Sequence, residues 1–153
     1  MTITRADTLT TSKKKTEFFS DFLNSFAMSP VGNQLARVTN EKAVTQSIRN
    51  LVLTNFGERL FQPAIGSNVT ASLFELNTNV SMYSLEQNIQ DLISIYEKRA
   101  NIIKVEILTT TDKSDSRITN FNINEHYITV NIVYNLINNP EPISLNIFLK
   151  RVR

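Results

Sequence analysis

Three stretches in the last third of the chain alternate apolar and polar residues with a period of two, and this alternation limits the possible folds more than any other feature. Ile103, Val105 and Ile107 are separated by Lys104 and Glu106. Ile128, Val130, Ile132, Tyr134 and Leu136 are interleaved with Thr129, Asn131 and Asn135, and Ile143, Leu145, Ile147 and Leu149 with Ser144 and Asn146. Successive side chains of a strand point to opposite faces, so three such runs predict a sheet with one face buried. Asn138-Asn139-Pro140-Glu141-Pro142 predicts a turn that lays the last strand beside its predecessor. The polar stretch 111–126 is long for a hairpin loop and is expected to hold its own turn at Asp112 to Asp115 and a short strand around Ile118 to Ile123.

Upstream of these strands the apolar period changes to that of a helix. Val44, Ile48, Leu51 and Val52 recur at helical spacing after Asn40, a candidate N-cap, with Asn55-Phe56-Gly57 as the stop. Leu85, Ile89, Leu92, Ile93 and Tyr96 form a second stripe in a helix opened by Ser81 or Ser84. Such stripes are core far more often than they are cofactor sites. Phe18, Phe19, Phe22, Leu23 and Phe26 suit one face of a short helix or an extended anchor, ended by Pro30 and Gly32. Residues 1–16 are rich in Thr, Ser and Lys with little to bury and read as a flexible arm before a single domain over residues 17–153. The fold class expected is α+β, with the N-terminal helices packed on a small, mainly antiparallel sheet formed by the C-terminal third.

Composition removes several function classes. The chain has 153 residues and no cysteine, so it has neither a disulfide framework nor a thiolate metal site. Its 16 basic and 14 acidic residues are too evenly balanced for a nucleic-acid partner, which needs clustered positive charge. No apolar run approaches the roughly 20 residues of a membrane span, and a soluble, intracellular protein is expected. His126 is the one histidine, and Glu125-His126 lacks metal-ligand spacing; a Ser-His-Asp set would also have to use it, and no nucleophile-elbow sequence is present to supply the serine. No cofactor, metal or catalytic set is therefore assigned. Glu58, Glu75, Glu86 and Glu97 could supply the two carboxylates that glycoside hydrolysis needs. A working acid, however, requires an apolar cleft and a second carboxylate about 5 to 10 Å away, and no pattern in the sequence specifies one.

The stretch NFGERLFQPAIGSNVTASLFE, residues 55 to 75, holds two of the three glycines. It lacks the phosphate-binding glycine patterns. Gly57 is expected to take the positive φ that closes a helix, Pro63 to set an extended approach, and Gly66 to permit a turn before Ser67 caps a short helix, with Leu73 and Phe74 facing inward. The result is a helix-turn-helix corner with Glu58-Arg59 as a polar latch or partner contact.

The order Gly57-Glu58-Arg59-x-Phe61-x-Pro63-x-x-Gly66, then Leu73-Phe74-Glu75, then a helix ending Tyr96-Glu97-Lys98-Arg99 and two strands split by Asn139-Pro140, resembles the baseplate wedge and sheath-initiator family of contractile phage tails. Type VI secretion baseplates have counterparts. The likeness spans roughly residues 18 to 150, and Lys98 stands where the family signature usually has proline. The resemblance implies a structural, non-enzymatic protein of the virion tail baseplate, assembled in the host cytoplasm, with wedge proteins and the tail sheath protein as partners and tube or hub proteins as further neighbours. Glu97, Arg99, Glu58 and Arg59 would contact the helical core bundle of the wedge. The last strand, with Ile143, Leu145, Ile147, Leu149, Lys150 and Arg151, would be a sheet edge to which sheath arms add strands; terminal Lys and Arg are charges that discourage indiscriminate pairing. Members of the family are often labelled lysozyme-like, so a peptidoglycan-cleaving hydrolase is the competing expectation.

Overall fold

The computed structural model describes residues 16–30, 32–74, 79–109 and 127–150. The expected strand near Ile118, the arm up to residue 15, and Glu75, His126 and Arg151 lie outside them. In chain order the elements are β1 (Ser20–Phe22), β2 (Arg37–Thr39), α1 (Glu41–Leu53), α2 (Val69–Ser72), α3 (Asn79–Tyr96), β3 (Ala100–Thr109), β4 (Tyr127–Leu136) and β5 (Asn139–Lys150). The last three form an antiparallel sheet in the order β3-β4-β5, and β1 pairs with β2 in a separate two-stranded ribbon. This is the α+β architecture that the two periodicities predict.

The core lies between the helices and one face of the sheet. Val44, Ile48 and Val52 of α1 and Leu85, Ile89 and Ile93 of α3 pack with Val105, Ile107, Ile128, Val130, Ile132, Tyr134, Leu145 and Ile147. Complete burial of an aliphatic side chain contributes about 1.5–3 kcal/mol each, so this shared face holds the layers together. Tyr134 is the largest fully buried side chain, and its hydroxyl shares a 2.7 Å hydrogen bond with Thr45 of α1. Burial pushes the Tyr134 phenol up from its ordinary range.

Two details depart from simple alternation. Ile103 is exposed, because the β3–β4 register shifts between Ile102 and Lys104. Ala100 and Ile102 turn inward before the shift, Val105 and Ile107 after it, and the extra residue falls outside the pattern. The β4–β5 turn is tighter than expected, Ile137-Asn138, so Asn139, Pro140 and Pro142 belong to β5. The prolines coincide with a second register shift, between the Leu136–Asn139 and Tyr134–Ile143 pairs, where missing ladder donors are tolerated.

The phenylalanine-rich segment is extended, not helical. β1 and β2 are the base of a long hairpin, closed near its tip by the Ser29 N–H donating to the Gln34 carbonyl at 2.7 Å. Phe19 packs on the core, while Phe18, Phe22 and Phe26 are exposed. Asn40 precedes α1 as expected, but its side chain does not cap the helix. Its Oδ1 accepts from the Phe18 and Phe19 N–H groups at 2.8 and 3.2 Å, and its Nδ2 donates to the Thr16 carbonyl at 2.9 Å. The positive φ of 49° at this position is one that Asn tolerates better than most residues. α3 begins at Asn79, earlier than either serine; Leu85, Ile89, Leu92 and Ile93 are buried as expected, whereas Tyr96 is 41 % exposed.

Candidate functional site

Glu97 follows α3 directly and is 3 % exposed. Burial raises its carboxyl pKa, but hydrogen bonds from Arg99 and Ser47 and the Arg99 charge outweigh it, holding the group below its ordinary range. Arg99 donates from Nε to Oε1 at 2.6 Å and from a terminal nitrogen to Oε2 at 2.7 Å, a bidentate fork. That pairing in turn raises the Arg99 pKa. The Arg99 side chain remains 32 % exposed, and its guanidinium carbon sits 5.6 Å from the centroid of the Phe19 ring. The Arg99 carbonyl accepts from Ile137 N–H at 3.1 Å, joining the end of α3 to the β4–β5 turn. Of this pair, then, Arg99 presents accessible surface and Glu97 sets its orientation. Lys98 donates to the Ser94 carbonyl at 3.2 Å.

The corner after α1 is built differently from expectation. α1 ends at Leu53, with Thr54 in extended conformation, so Gly57 does not close the helix. Its φ of 83° serves a loop instead, in which Gly57 N–H donates to the Pro63 carbonyl at 2.9 Å. Pro63 takes the second position of the turn closed by Ile65 N–H and the Gln62 carbonyl, rather than an extended approach. Gly66 is required by contact: a Cβ there would lie 2.6 Å from the Asn55 carbonyl carbon. Ser67 is buried, donates to the Val52 carbonyl and accepts from Val69 N–H at 3.3 Å, anchoring the four-residue α2. Leu73 is buried as expected and Phe74 is exposed.

Within this loop Glu58 and Arg59 do not pair with each other. Glu58 Oε2 accepts from the Asn55 N–H at 2.6 Å, so Glu58 braces the loop. Arg59 has no ion-pair partner among the described residues. The following Leu60 and Phe61 are 90 % and 96 % exposed, a large apolar pair that no described residue covers. Consecutive apolar residues in a turn segment, in phase with neither helix nor strand, are the sequence signal that could have marked this pair.

The third region is the outer side of β5. Leu145 and Ile147 are buried in the core and Ile143 and Leu149 half-buried, so what these residues offer a partner is main chain. Among the described residues β5 pairs with β4 alone. Lys150 is in the strand, opposite Tyr127.

Two other described carboxylates have structural work. Glu86 Oε1 accepts from Ile107 N–H at 3.0 Å, tying α3 to β3, and Glu106 pairs with Lys104 and accepts from Asn131 at 3.4 Å. Among the described residues no three histidine or carboxylate side chains converge as metal ligands.

The model of the family described as baseplate wedge protein gp25 matches residues 38–141, from β2 into β5. The chain belongs to this family. A relative in Enterobacteria phage T4, baseplate wedge protein gp25, is 24 % identical over 109 residues, covering 71 % of this chain and 74 % of the relative. Among solved structures, the baseplate of the anti-feeding prophage contains a chain with a TM-score of 0.61 and 23 % identity, over 80 % of this chain and 89 % of that one. A putative tail lysozyme from Geobacter sulfurreducens superposes with a TM-score of 0.56 at 16 % identity, over 74 % of this chain and 92 % of its own. At these identities the two structures show a shared fold. The matched span begins at Val38, so most of the β1–β2 hairpin precedes it.

Proposed function

We propose that this chain is a structural, non-enzymatic component of a contractile tail baseplate wedge, which binds the core bundle of the wedge and initiates sheath polymerisation by pairing β5 with extended arms of the sheath protein. The observation that carries this reading is the outer edge of β5, which has no neighbouring strand among the described residues. An unpaired edge presents a row of N–H and C=O groups, and the structure that satisfies such a row is another strand. Pro140 and Pro142 interrupt the row at one end and limit where pairing can start. On the wedge side, Arg99, Arg59 and the apolar pair Leu60 and Phe61 supply the accessible cationic and hydrophobic groups that serve as anchors in protein interfaces. Glu97 and Glu58 hold the backbone and guanidinium that present them.

Proline substitutions test the edge. N–H groups alternate in direction along a strand, so Asn146 and Leu149, three residues apart, donate to opposite sides. One of Asn146→Pro and Leu149→Pro removes a bond to β4 and lowers stability. The other removes an outward donor and is expected to leave a folded protein that no longer nucleates sheath in a reconstituted baseplate. Sheath assembly at wild-type yield on that folded variant would refute the edge assignment. The hydrolase alternative predicts turnover of purified cell wall. Each described glutamate discussed above is committed to a structural hydrogen bond or ion pair, and the expected murein-release rate equals that of buffer.

A further inference from the structure

A groove of about 480 Å³ meets β5 at Ile143 and Ser144 and is otherwise bounded by the exposed turns of α1 and by Asn24 and Val38 of the hairpin. Its α1 wall carries Lys42, Thr45, Gln46 and Arg49, with Glu41 at the N-terminal end. Gln46 is occupied: its Oε1 accepts from Asn24 N–H at 3.3 Å and its Nε2 donates to the Phe22 carbonyl at 2.7 Å, which fixes the hairpin wall. Thr45 is engaged with Tyr134 and the Glu41 carbonyl. Lys42 and Arg49 have no ion-pair partner among the described residues, and with Glu41 they leave the groove one positive charge in excess. Seven residues apart, the two cations are about two turns, or roughly 10 Å, from each other along one side of α1.

We infer that this groove selects the strand that adds to β5, favouring one with acidic side chains on its α1-facing side. The inference rests on the strand-pairing reading above and adds its side-chain code. A strand placed against the outer edge of β5 would direct alternate side chains toward α1, recurring every 6 to 7 Å or so. Those paired near Ile143 and Ser144 pass the mouth of the groove, where Lys42 and Arg49 attract carboxylates and repel ammonium groups. Main-chain pairing alone accepts any sequence; the two cations give the edge a preference.

Because the chain contains no cysteine, a single Asn146→Cys substitution on the exposed face of β5 provides a unique tether. Two ten-residue strand peptides, each with one cysteine and alternating Val and Thr, would carry either Glu or Lys at the positions sharing the α1-facing side. They would compete under reversible thiol exchange, with a third peptide bearing central prolines as a non-pairing reference. The Glu peptide should be captured about three- to tenfold over the Lys peptide at low salt, the range expected of two exposed ion pairs. The excess should collapse toward one in Lys42→Ala/Arg49→Ala protein and in 0.5 M salt. Equal capture of the Glu and Lys peptides, both above the proline reference, would overturn the groove inference and leave strand pairing standing. A preference for Glu that survives the double substitution would also overturn it. Capture of neither above the proline reference would refute both readings. Circular dichroism of the double variant confirms its fold, since Lys42 and Arg49 are exposed.

Discussion

Glu97 occupies an unfavourable place for an acid. The C-terminal end of a helix carries partial negative charge, and burial opposes ionisation further. Arg99, two residues on, makes the position tolerable, because both carboxylate oxygens receive a guanidinium N–H. The depressed pKa fixes the sign of the pH dependence. Stability from the pair is fully present above the unfolded-state value, near pH 4.3, and is lost as pH falls through the lower folded-state value. Urea unfolding of wild type and Glu97→Gln from pH 7 to pH 2.5 should therefore show a gap that is constant above about pH 5 and narrows below it. A gap that widens on acidification would contradict the geometry. Arg99→Ala is expected to lower stability by about 1–3 kcal/mol, since it leaves a buried carboxylate without its main donors. An interface test at Arg99 therefore needs a measurement of folding beside it.

At the scale of elements, the bulge at Ile103 gives a contrast within one strand. Ile103→Ser should change stability by about 0.5 kcal/mol or less, and Ile107→Ala, with its side chain in the core, by about 2–5 kcal/mol. Chemical denaturation of the two variants checks the register directly. Alternation in the sequence predicted all three strands and the buried identities of β4, but Ile103 looked as regular as Val105, since a bulge moves the chain without changing which residue types follow. The helices were legible for the same periodic reason. The corner was legible as a corner, and its wiring was not: whether Gly57 ends a helix or opens a loop depends on where Thr54 leaves the helical path, which Pro63 and Gly66 influence only through contacts distant from the local pattern. The Glu97–Arg99 spacing was visible in the sequence, while the burial that makes one partner structural and the other accessible depends on α3, Ser47 and Phe19 together.

The whole molecule separates what holds it together from what it exposes. Its core joins α1 and α3 to a single sheet face, and a smaller cluster of Leu51, Ile65 and Leu92 seats the corner. Leu60 and Phe61 belong to neither. Leu60→Ser/Phe61→Ser should leave the unfolding midpoint nearly unchanged while weakening association with purified wedge core bundle by about 2 kcal/mol or more, the range of an interface hot spot. Isothermal titration with a parallel thermal melt reads both quantities. Undiminished affinity would remove this loop from the wedge surface.

The Asn40 side chain has a mechanical consequence. One amide grips the backbone at Thr16, Phe18 and Phe19 and stands at the entrance to α1. Tension on the chain ahead of Thr16 would be transmitted through this clamp to the start of the helix before it reached the sheet. A tug from that direction would thus loosen the hairpin's root first and spare β5, so that strain arriving at Thr16 is kept from the far side of the sheet.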